Sequence, residues 1–243
     1  MQYLTGVYWC GAGASRANQD AVVLQQVLTR RGRVLMAAVC DGMGGLSAGG
    51  EASGYVAGQL VEWYYGELLS LIRRRKPFWV IRRSLDRRVY HMQGQLKRYA
   101  AQEETALGTT MTVFVLWEKT YLLWHLGDSR AYLLRGRRMK QTTTDHVHGT
   151  RELTKCVGSF GRFIPEHRTG TLRKGEGILL CTDGFRRRVS DQELGDAMYF
   201  GFANVQAFSP EEQIERRLKE IGGVCRKRGE TDDLSAVYVR RSI

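Results

Sequence analysis

Short apolar segments rich in β-branched residues recur along this chain, and glycine and aspartate follow several of them. The segments are AVVLQQVL (21–28), RVLMAAVC (33–40), TTMTVFVLW (109–117), TYLLWHLGDSRAYLLRGRRM (120–139), GILLCTDG (177–184) and LSAVYVR (234–240). Their length and composition are typical of β-strands. The fourth is long enough for two strands, with Gly127 and Asp128 at the turn between them.

The hydrophobic period changes between Cys40 and Thr109, where apolar residues recur every three or four positions. This spacing predicts two long helices, separated at Pro77. A third helix is expected to begin at Ser209 as N-cap, because Pro210 and two glutamates follow it. No repeat or linker divides the 243 residues, so we predict a single domain, 1–243, with an α+β layered fold.

Composition excludes some classes of protein. The longest apolar stretch, MTVFVLWEKTYLLWHL (111–126), is broken by Glu118 and Lys119 before it reaches the roughly 18 residues of a membrane helix. The first residues do not resemble a secretory signal, so we expect a cytoplasmic protein. The five cysteines include no C-x-x-C pair, so we interpret them as reduced and structural.

The net charge of +12 is concentrated in one segment. Between Arg73 and Arg98 there are ten lysines or arginines against one acid, Asp86. A solvated helix face explains this pattern, and a docking surface for nucleic acid or an acidic partner is the alternative. The solvated face is favoured, because no nucleic-acid motif accompanies the charge.

Carboxylates stand at the ends of four predicted strands: Asp41, Asp128, Asp183 and the pair Asp232 and Asp233. A single Asp-Gly is an ordinary turn, but strand ends of one packed sheet converge on one rim. Several carboxylates at one rim repel each other unless cations lie between them. Oxygen ligands without cysteine or paired histidine favour Mg²⁺ or Mn²⁺ over zinc.

The motifs together resemble those of the metal-dependent protein phosphatases of the 2C type, as found in bacteria. In the family's order they are SRANQDA (15–21), CDGMGG (40–45), GTT (108–110), GDSRAYL (127–133), TTDH (143–146), LLCTDGF (179–185) and TDDLSAV (231–237). The resemblance implies a four-layer αββα sandwich, in which two antiparallel sheets are flanked by helices. It also implies a phosphoric monoester hydrolase that acts on phosphoserine and phosphothreonine in proteins, with signalling partners such as a cognate Ser/Thr kinase.

The resemblance also implies which residues form the site. Asp41 would bridge two divalent cations, Mn²⁺ or Mg²⁺, the Gly42 carbonyl would bind one of them, and Asp183 and Asp232 would bind the other. Asp20 would act through waters. Asp128 matches a residue that helps to hold a third, weaker metal.

Such a pair of cations turns a shared water into a hydroxide that attacks phosphorus directly. Arg16 is the candidate to hold the phosphate, because a guanidinium fork matches two phosphoryl oxygens. We expect a monomer that binds neither membranes nor nucleic acid.

The sequence departs from the family pattern at several positions. Only two residues separate Arg16 from Gln19, where the family has three, and Gln19 replaces a glutamate of eukaryotic members. Met43 stands where some members carry a histidine proposed as general acid. The flap segment near 146–153 is shortened, which predicts an open cleft, and its His146 and His148 are expected to have loop roles.

Two other functions compete with catalysis. The fold could serve a pseudophosphatase, or regulatory scaffold, that docks partners on its basic helix. The presence of all the principal metal ligands argues against that alternative. Nucleic-acid binding by residues 73–98 is the third hypothesis, and it predicts an affinity that falls steeply with salt.

Overall fold

The structure is a computed structural model, and it describes residues 3–11, 17–44, 48–149, 152–158, 164–199 and 209–242. Its strands are β1 (Tyr3–Cys10), β2 (Asp20–Thr29), β3 (Gly32–Gly44), β4 (Leu107–Thr109), β5 (Met111–Trp117), β6 (Thr120–Leu126), β7 (Arg130–Arg135), β8 (Arg138–Gln141), β9 (Val147–His148), β10 (Glu152–Leu153), β11 (Glu166–Thr171), β12 (Gly177–Cys181) and β13 (Leu234–Arg241). Its helices are α1 (Ala48–Trp63), α2 (Leu69–Arg73), α3 (Phe78–Gln102), α4 (Asp183–Arg186), α5 (Asp191–Ala197) and α6 (Pro210–Lys227).

Two antiparallel sheets form the centre of the molecule. One has the strand order β1-β13-β12-β7-β8, and the other has the order β11-β6-β5-β3-β2. Buried side chains fill three spaces: between the two sheets, between the second sheet and helices α1 to α3, and between the first sheet and helices α4 to α6. The molecule is therefore a four-layer αββα sandwich, and the predicted fold class is confirmed.

Strand β3 shows why its sequence is continuously apolar. Leu35, Ala37 and Val39 face the space between the sheets, whereas Met36 and Ala38 face the helices. All of these residues are fully buried. A strand covered on both faces needs apolar residues at every position, and the usual alternation with polar residues disappears.

The two long helical segments lie where the sequence predicted them, with Pro77 as N-cap of α3. The first segment contains a π-helical turn, Tyr64–Leu68, between α1 and α2, which was not predicted. This turn buries Tyr64, whose hydroxyl donates to the Val34 carbonyl at 2.7 Å. A π turn adds a residue to a helix and so changes the direction of the side chains that follow.

Helix α6 begins as predicted. Ser209 is its N-cap and forms a capping box with Glu212, and Pro210 occupies the first turn. Gly222 and Gly223 do not end the helix, which continues to Lys227.

Residues 120–139 contain the two predicted strands, β6 and β7, on either side of Gly127 and Asp128, and a third strand, β8, begins at Arg138 and pairs with β7. Strand β3 also continues past Asp41 to Gly44, where it pairs with β4. Strands β1 and β11 and helix α5 were not predicted. Their exposed or polar positions, such as Trp9 on β1, hide the pattern of a buried strand.

No helix in the described ranges combines the length and hydropathy that a membrane span requires.

Candidate functional site

The strand-end carboxylates do meet at one rim of the sandwich. The carboxyl group of Asp41 is influenced electrostatically by those of Asp20, Asp128, Asp183 and Asp232. These residues come from separate segments of the chain, and β2 and β3 pair so that Asp20 lies opposite Asp41. The predicted convergence of carboxylates is therefore present in the structure.

Asp41 is held through its backbone by the GTT motif. Its N–H donates to the Thr110 hydroxyl at 2.9 Å, and its carbonyl accepts from the Thr110 N–H at 2.9 Å and from the Thr109 hydroxyl at 3.0 Å. The hydroxyls of Thr110 and Ser129 are hydrogen-bonded to each other at 2.7 Å. The Asp41 backbone is thus positioned by residues that sequence reasoning had recognised only as parts of motifs.

Gly42 is buried where three backbone segments approach closely. Its N–H donates to the Gln19 carbonyl at 3.1 Å. A Cβ at this position would lie 2.0 Å from the Gly49 carbonyl oxygen and 2.5 Å from that of Gln19. Real side chains never make such contacts, so the start of α1 can approach β3 only because residue 42 is glycine.

Gln19 connects the rim to the loop that precedes β13. Its N–H donates to the Asp233 carboxylate at 2.8 Å, and its carbonyl accepts from the Ser53 hydroxyl at 2.6 Å. Asp233 is buried and therefore serves the loop before β13 as a structural anchor. The carboxylate of its neighbour Asp232 contacts Arg187, and its charge helps to raise the pKa of Asp41.

Burial and mutual repulsion raise the pKa values of three rim carboxyls. Burial raises the pKa of Asp20 to about 7, although hydrogen bonds from Ser235 and Thr182 lower it in part. Burial and the Asp183 carboxylate raise the pKa of Asp128 to about 6. For Asp41, burial and the four neighbouring carboxylates raise the pKa well above its usual range. Such a cluster favours any cation that enters it.

The turn that carries Asp128 is braced by two stacked histidines. The backbone N–H of His146 donates to the Gly127 carbonyl at 2.8 Å, and the Gly127 N–H donates to Nδ1 of the His146 ring at 3.2 Å. Its ring stacks on that of His125, 5.0 Å away. Burial and the neighbouring His146 lower the pKa of His125 to about 4, so the inner ring is neutral near pH 7.

An ion-pair cluster lies beside this turn. Arg130 donates from Nε and Nη2 to the Asp145 carboxylate, with the shortest contact at 2.7 Å, and Arg186 also reaches Asp145 at 3.3 Å. The positive charge of Arg186 lowers the pKa of Asp128, but burial raises it by more. Sequence reasoning did not assign a role to either arginine.

The donor set fits a hard divalent cation, because it consists of carboxylates and one backbone carbonyl. In the described ranges, no group of three or more His, Cys, Asp or Glu side chains surrounds one metal position. The Arg187 guanidinium instead contacts both Asp183 and Asp232. This arginine was missed because RRR after CTDGF looks like a basic helix surface.

Some predicted residues are placed less completely. Arg16 and Gly45 lie outside the described residues, so the phosphate-binding role of Arg16 stays a prediction. Met43 lies in β3 opposite Gly108 of β4. His148 is exposed on β9, which pairs antiparallel with β10 within the described part of the shortened flap segment.

The chain matches the model of the family "Protein phosphatase 2C" over residues 12–221. It therefore belongs to the protein phosphatase 2C family.

Two relatives are bacterial proteins. Protein phosphatase PhpP of Streptococcus pneumoniae is 26% identical over 226 residues, which cover 85% of this chain and 87% of the relative. Serine/threonine protein phosphatase PstP of Mycobacterium tuberculosis is 29% identical over 181 residues, which cover 66% of this chain and 34% of the relative.

Solved structures share the fold at lower identity. The S. agalactiae serine/threonine phosphatase superposes with a TM-score of 0.80 at 18% identity, over 99% of this chain and 100% of that one. The catalytic domain of PstP, solved in complex with 2 manganese ions, superposes with a TM-score of 0.73 at 23% identity over 100% of both chains.

Proposed function

We propose that this chain is a metal-dependent protein-serine/threonine phosphatase, which hydrolyses phosphoserine and phosphothreonine without a covalent phosphoenzyme. The observation that carries the proposal is the cluster of five carboxylates, drawn from separate segments to one rim, in a member of the protein phosphatase 2C family. The names of the bacterial relatives support the same activity and the same class of substrate.

The residues proposed to hold two cations, Mn²⁺ or Mg²⁺, are Asp41, the Gly42 carbonyl, Asp183 and Asp232. Asp128 would help to hold a third. When bound, such cations supply an activated water for in-line attack on phosphorus and offset charge on the phosphoryl oxygens. The manganese ions of the PstP domain support this choice of metal.

The chain's own side chains would position the reacting groups. Thr109 and Thr110 keep the Asp41 backbone in place, and Asp20 would act through waters. Arg16 would bind the phosphoryl oxygens. With Met43 in place of a histidine, no side-chain acid is proposed for the leaving group, so phosphates with good leaving groups should react fastest.

The proposed unit is one catalytic domain, residues 1–243, with a shortened flap segment near 146–153 that leaves the cleft open. Its substrates would be phosphoproteins, including a cognate Ser/Thr kinase, and it would act as a monomer in the cytoplasm. An open cleft would select substrates weakly by itself, so partner proteins would contribute to selectivity.

Hydrolysis of p-nitrophenyl phosphate and of a phosphothreonine peptide tests the proposal. We expect turnover that requires added Mn²⁺ or Mg²⁺, stops with a chelator and falls at least 10²-fold in Asp41→Ala. Asp196→Asn is the matched control, because Asp196 is an exposed carboxylate on α5. Turnover that survives both the chelator and Asp41→Ala would rule out the metal mechanism.

A pseudophosphatase or regulatory scaffold with a basic docking helix is the second candidate. The contacts of Arg187 with Asp183 and Asp232 favour this candidate, because the guanidinium there takes the place of a divalent metal ion. This candidate predicts no turnover with either substrate at any Mn²⁺ concentration, whereas the phosphatase predicts saturable activation by the metal.

A further inference from the structure

Arg187 lies between two carboxylates that come from different parts of the chain. It follows α4 directly, four residues after Asp183, and its N–H donates to the Asp183 carbonyl at 2.8 Å. Its Nη2 donates to the Asp183 carboxylate, and its Nη1 and Nη2 each lie 3.4 Å from Oδ2 of Asp232. One guanidinium thus joins the two carboxylates proposed to hold the same cation.

A buried glutamate anchors the guanidinium on another side. Arg187 Nη1 lies 3.3 Å from Oε1 of Glu230, whose side chain is only 2% exposed. The same oxygen accepts the N–H groups of Thr231 at 3.0 Å and Asp232 at 3.1 Å. Glu230 therefore orders the loop that carries Asp232 and holds the arginine against it.

The guanidinium keeps its charge in this position. Burial alone would lower the pKa of Arg187, but the Asp183, Glu230 and Asp232 carboxylates raise it above its ordinary value. A permanent positive charge therefore offsets the repulsion between Asp183 and Asp232 when no other cation is present.

We propose that Arg187 is a resident counter-cation, which competes with the divalent ion for Asp183 and Asp232. A divalent ion that binds there must break the contacts of Arg187 with both aspartates. It is then repelled by the positive charge of the nearby guanidinium. Glu230 gives the displaced guanidinium a partner to retain. Occupancy of this position would then follow the free Mn²⁺ concentration instead of being permanent. The inference rests on the proposed metal-dependent function.

Mn²⁺ binding at equilibrium, measured by calorimetry on metal-free protein, tests the competition. We expect Arg187→Met to bind Mn²⁺ about tenfold or more tightly than the unmodified chain, because a like charge has been removed from the site. Arg188→Met is the matched control: Arg188 is the next residue, its Nε lies 3.5 Å from Glu230, and its side chain is 45% exposed. It should leave the affinity unchanged.

The outcomes separate this inference from the proposed function. Equal affinity in all three proteins would overturn the competition and leave the metal site intact. Binding by Arg187→Met alone would support the competition and contradict metal-dependent activity of the unmodified chain. Absence of binding by all three would overturn both.

Thermal unfolding in chelator gives a readout that does not depend on metal affinity. Without metal, Arg187→Met should melt below Arg188→Met, since Asp183 and Asp232 then have no cation between them. Saturating Mn²⁺ should remove or reverse that difference, and Arg187→Lys should fall between the two in chelator. If the two methionine variants melt together in chelator, Arg187 is not a counter-cation.

Discussion

At the scale of single residues, the site depends on carboxyl groups that are costly to ionise. Asp20 is buried, accepts a hydrogen bond from the Thr182 hydroxyl at 3.1 Å and faces Asp41 across the β2–β3 ladder. Charge at this position destabilises the folded chain unless a cation compensates it. Folding stability and metal binding should therefore be linked through pH.

Asp20→Asn tests this link in chelator. The Asp20 carboxyl ionises near its ordinary value of 3.8 in the unfolded chain and near 7 in the folded chain, so the folded state binds the extra proton between these values. The protonated Asp20 carboxyl therefore contributes its full stability to the folded chain below a pH of 3.8, and this contribution is lost as the pH rises through about 7. Relative to the unmodified chain, the variant should gain melting temperature progressively from pH 4 to pH 7.

The difference between the two melting curves reports the titration of Asp20 together with the effect of its charge on the pKa of Asp41. Asp196→Asn, on the exposed side of α5, is the control for the replacement of a carboxylate by an amide. A pH-independent difference between Asp20→Asn and the unmodified chain would show that the folded chain does not raise the pKa of Asp20.

At the scale of elements, close contacts between helices and sheets decide where the helices can lie. Gly222 of α6 faces β1, and a Cβ on it would lie 2.5 to 2.6 Å from ring atoms and the hydroxyl of Tyr8. Gly223, the next residue, has nothing within 4 Å of such a Cβ. Helix α6 therefore requires a glycine at position 222, whereas position 223 has room for a side chain.

Gly222→Ala and Gly223→Ala should consequently have opposite effects on the free energy of unfolding. We expect Gly222→Ala to cost about 1–3 kcal/mol through overpacking against Tyr8. Gly223→Ala should stabilise the chain by about 0.5–1 kcal/mol, because alanine favours a helix more than glycine does. Urea unfolding followed by circular dichroism measures both. Equal effects would mean that α6 shifts on the sheet without cost.

At the scale of the whole molecule, the excess positive charge lies on one helical layer. Arg82, Arg83 and Arg87 of α3 are exposed, whereas Arg88 is paired with Glu62 at 3.4 Å and Glu67 at 3.2 Å. An exposed row of arginines attracts polyanions, but attraction to phosphates alone carries no sequence information.

Fluorescence anisotropy with unrelated oligonucleotides tests whether this surface recognises nucleic acid. We expect weak binding that does not depend on sequence and decreases with salt, with a logarithmic slope of about −0.9 per phosphate contacted on duplex DNA. Replacement of Arg82, Arg83 and Arg87 by glutamine should reduce that slope. A preference for one sequence that persists at high salt would contradict the solvated-face interpretation.

The sequence by itself determined the local elements and the chemistry available to them. The apolar run of β3, the stripe of α3 and the capping box at Ser209 act over a few residues, so their structure can be predicted from neighbours in the chain. The family motifs also identified the aspartates that lie at the rim. Polar or exposed elements, such as β11 and α5, carried too weak a pattern to be found.

Only the tertiary structure decided which charges meet. Arg187 contacts Asp232 across 45 residues, and Gln19 donates to Asp233 across 214. Such pairs depend on how two sheets and their helices pack, which no local pattern encodes. Their physical reason is common to both: charged and polar groups that packing removes from water require partners, whatever their distance along the chain.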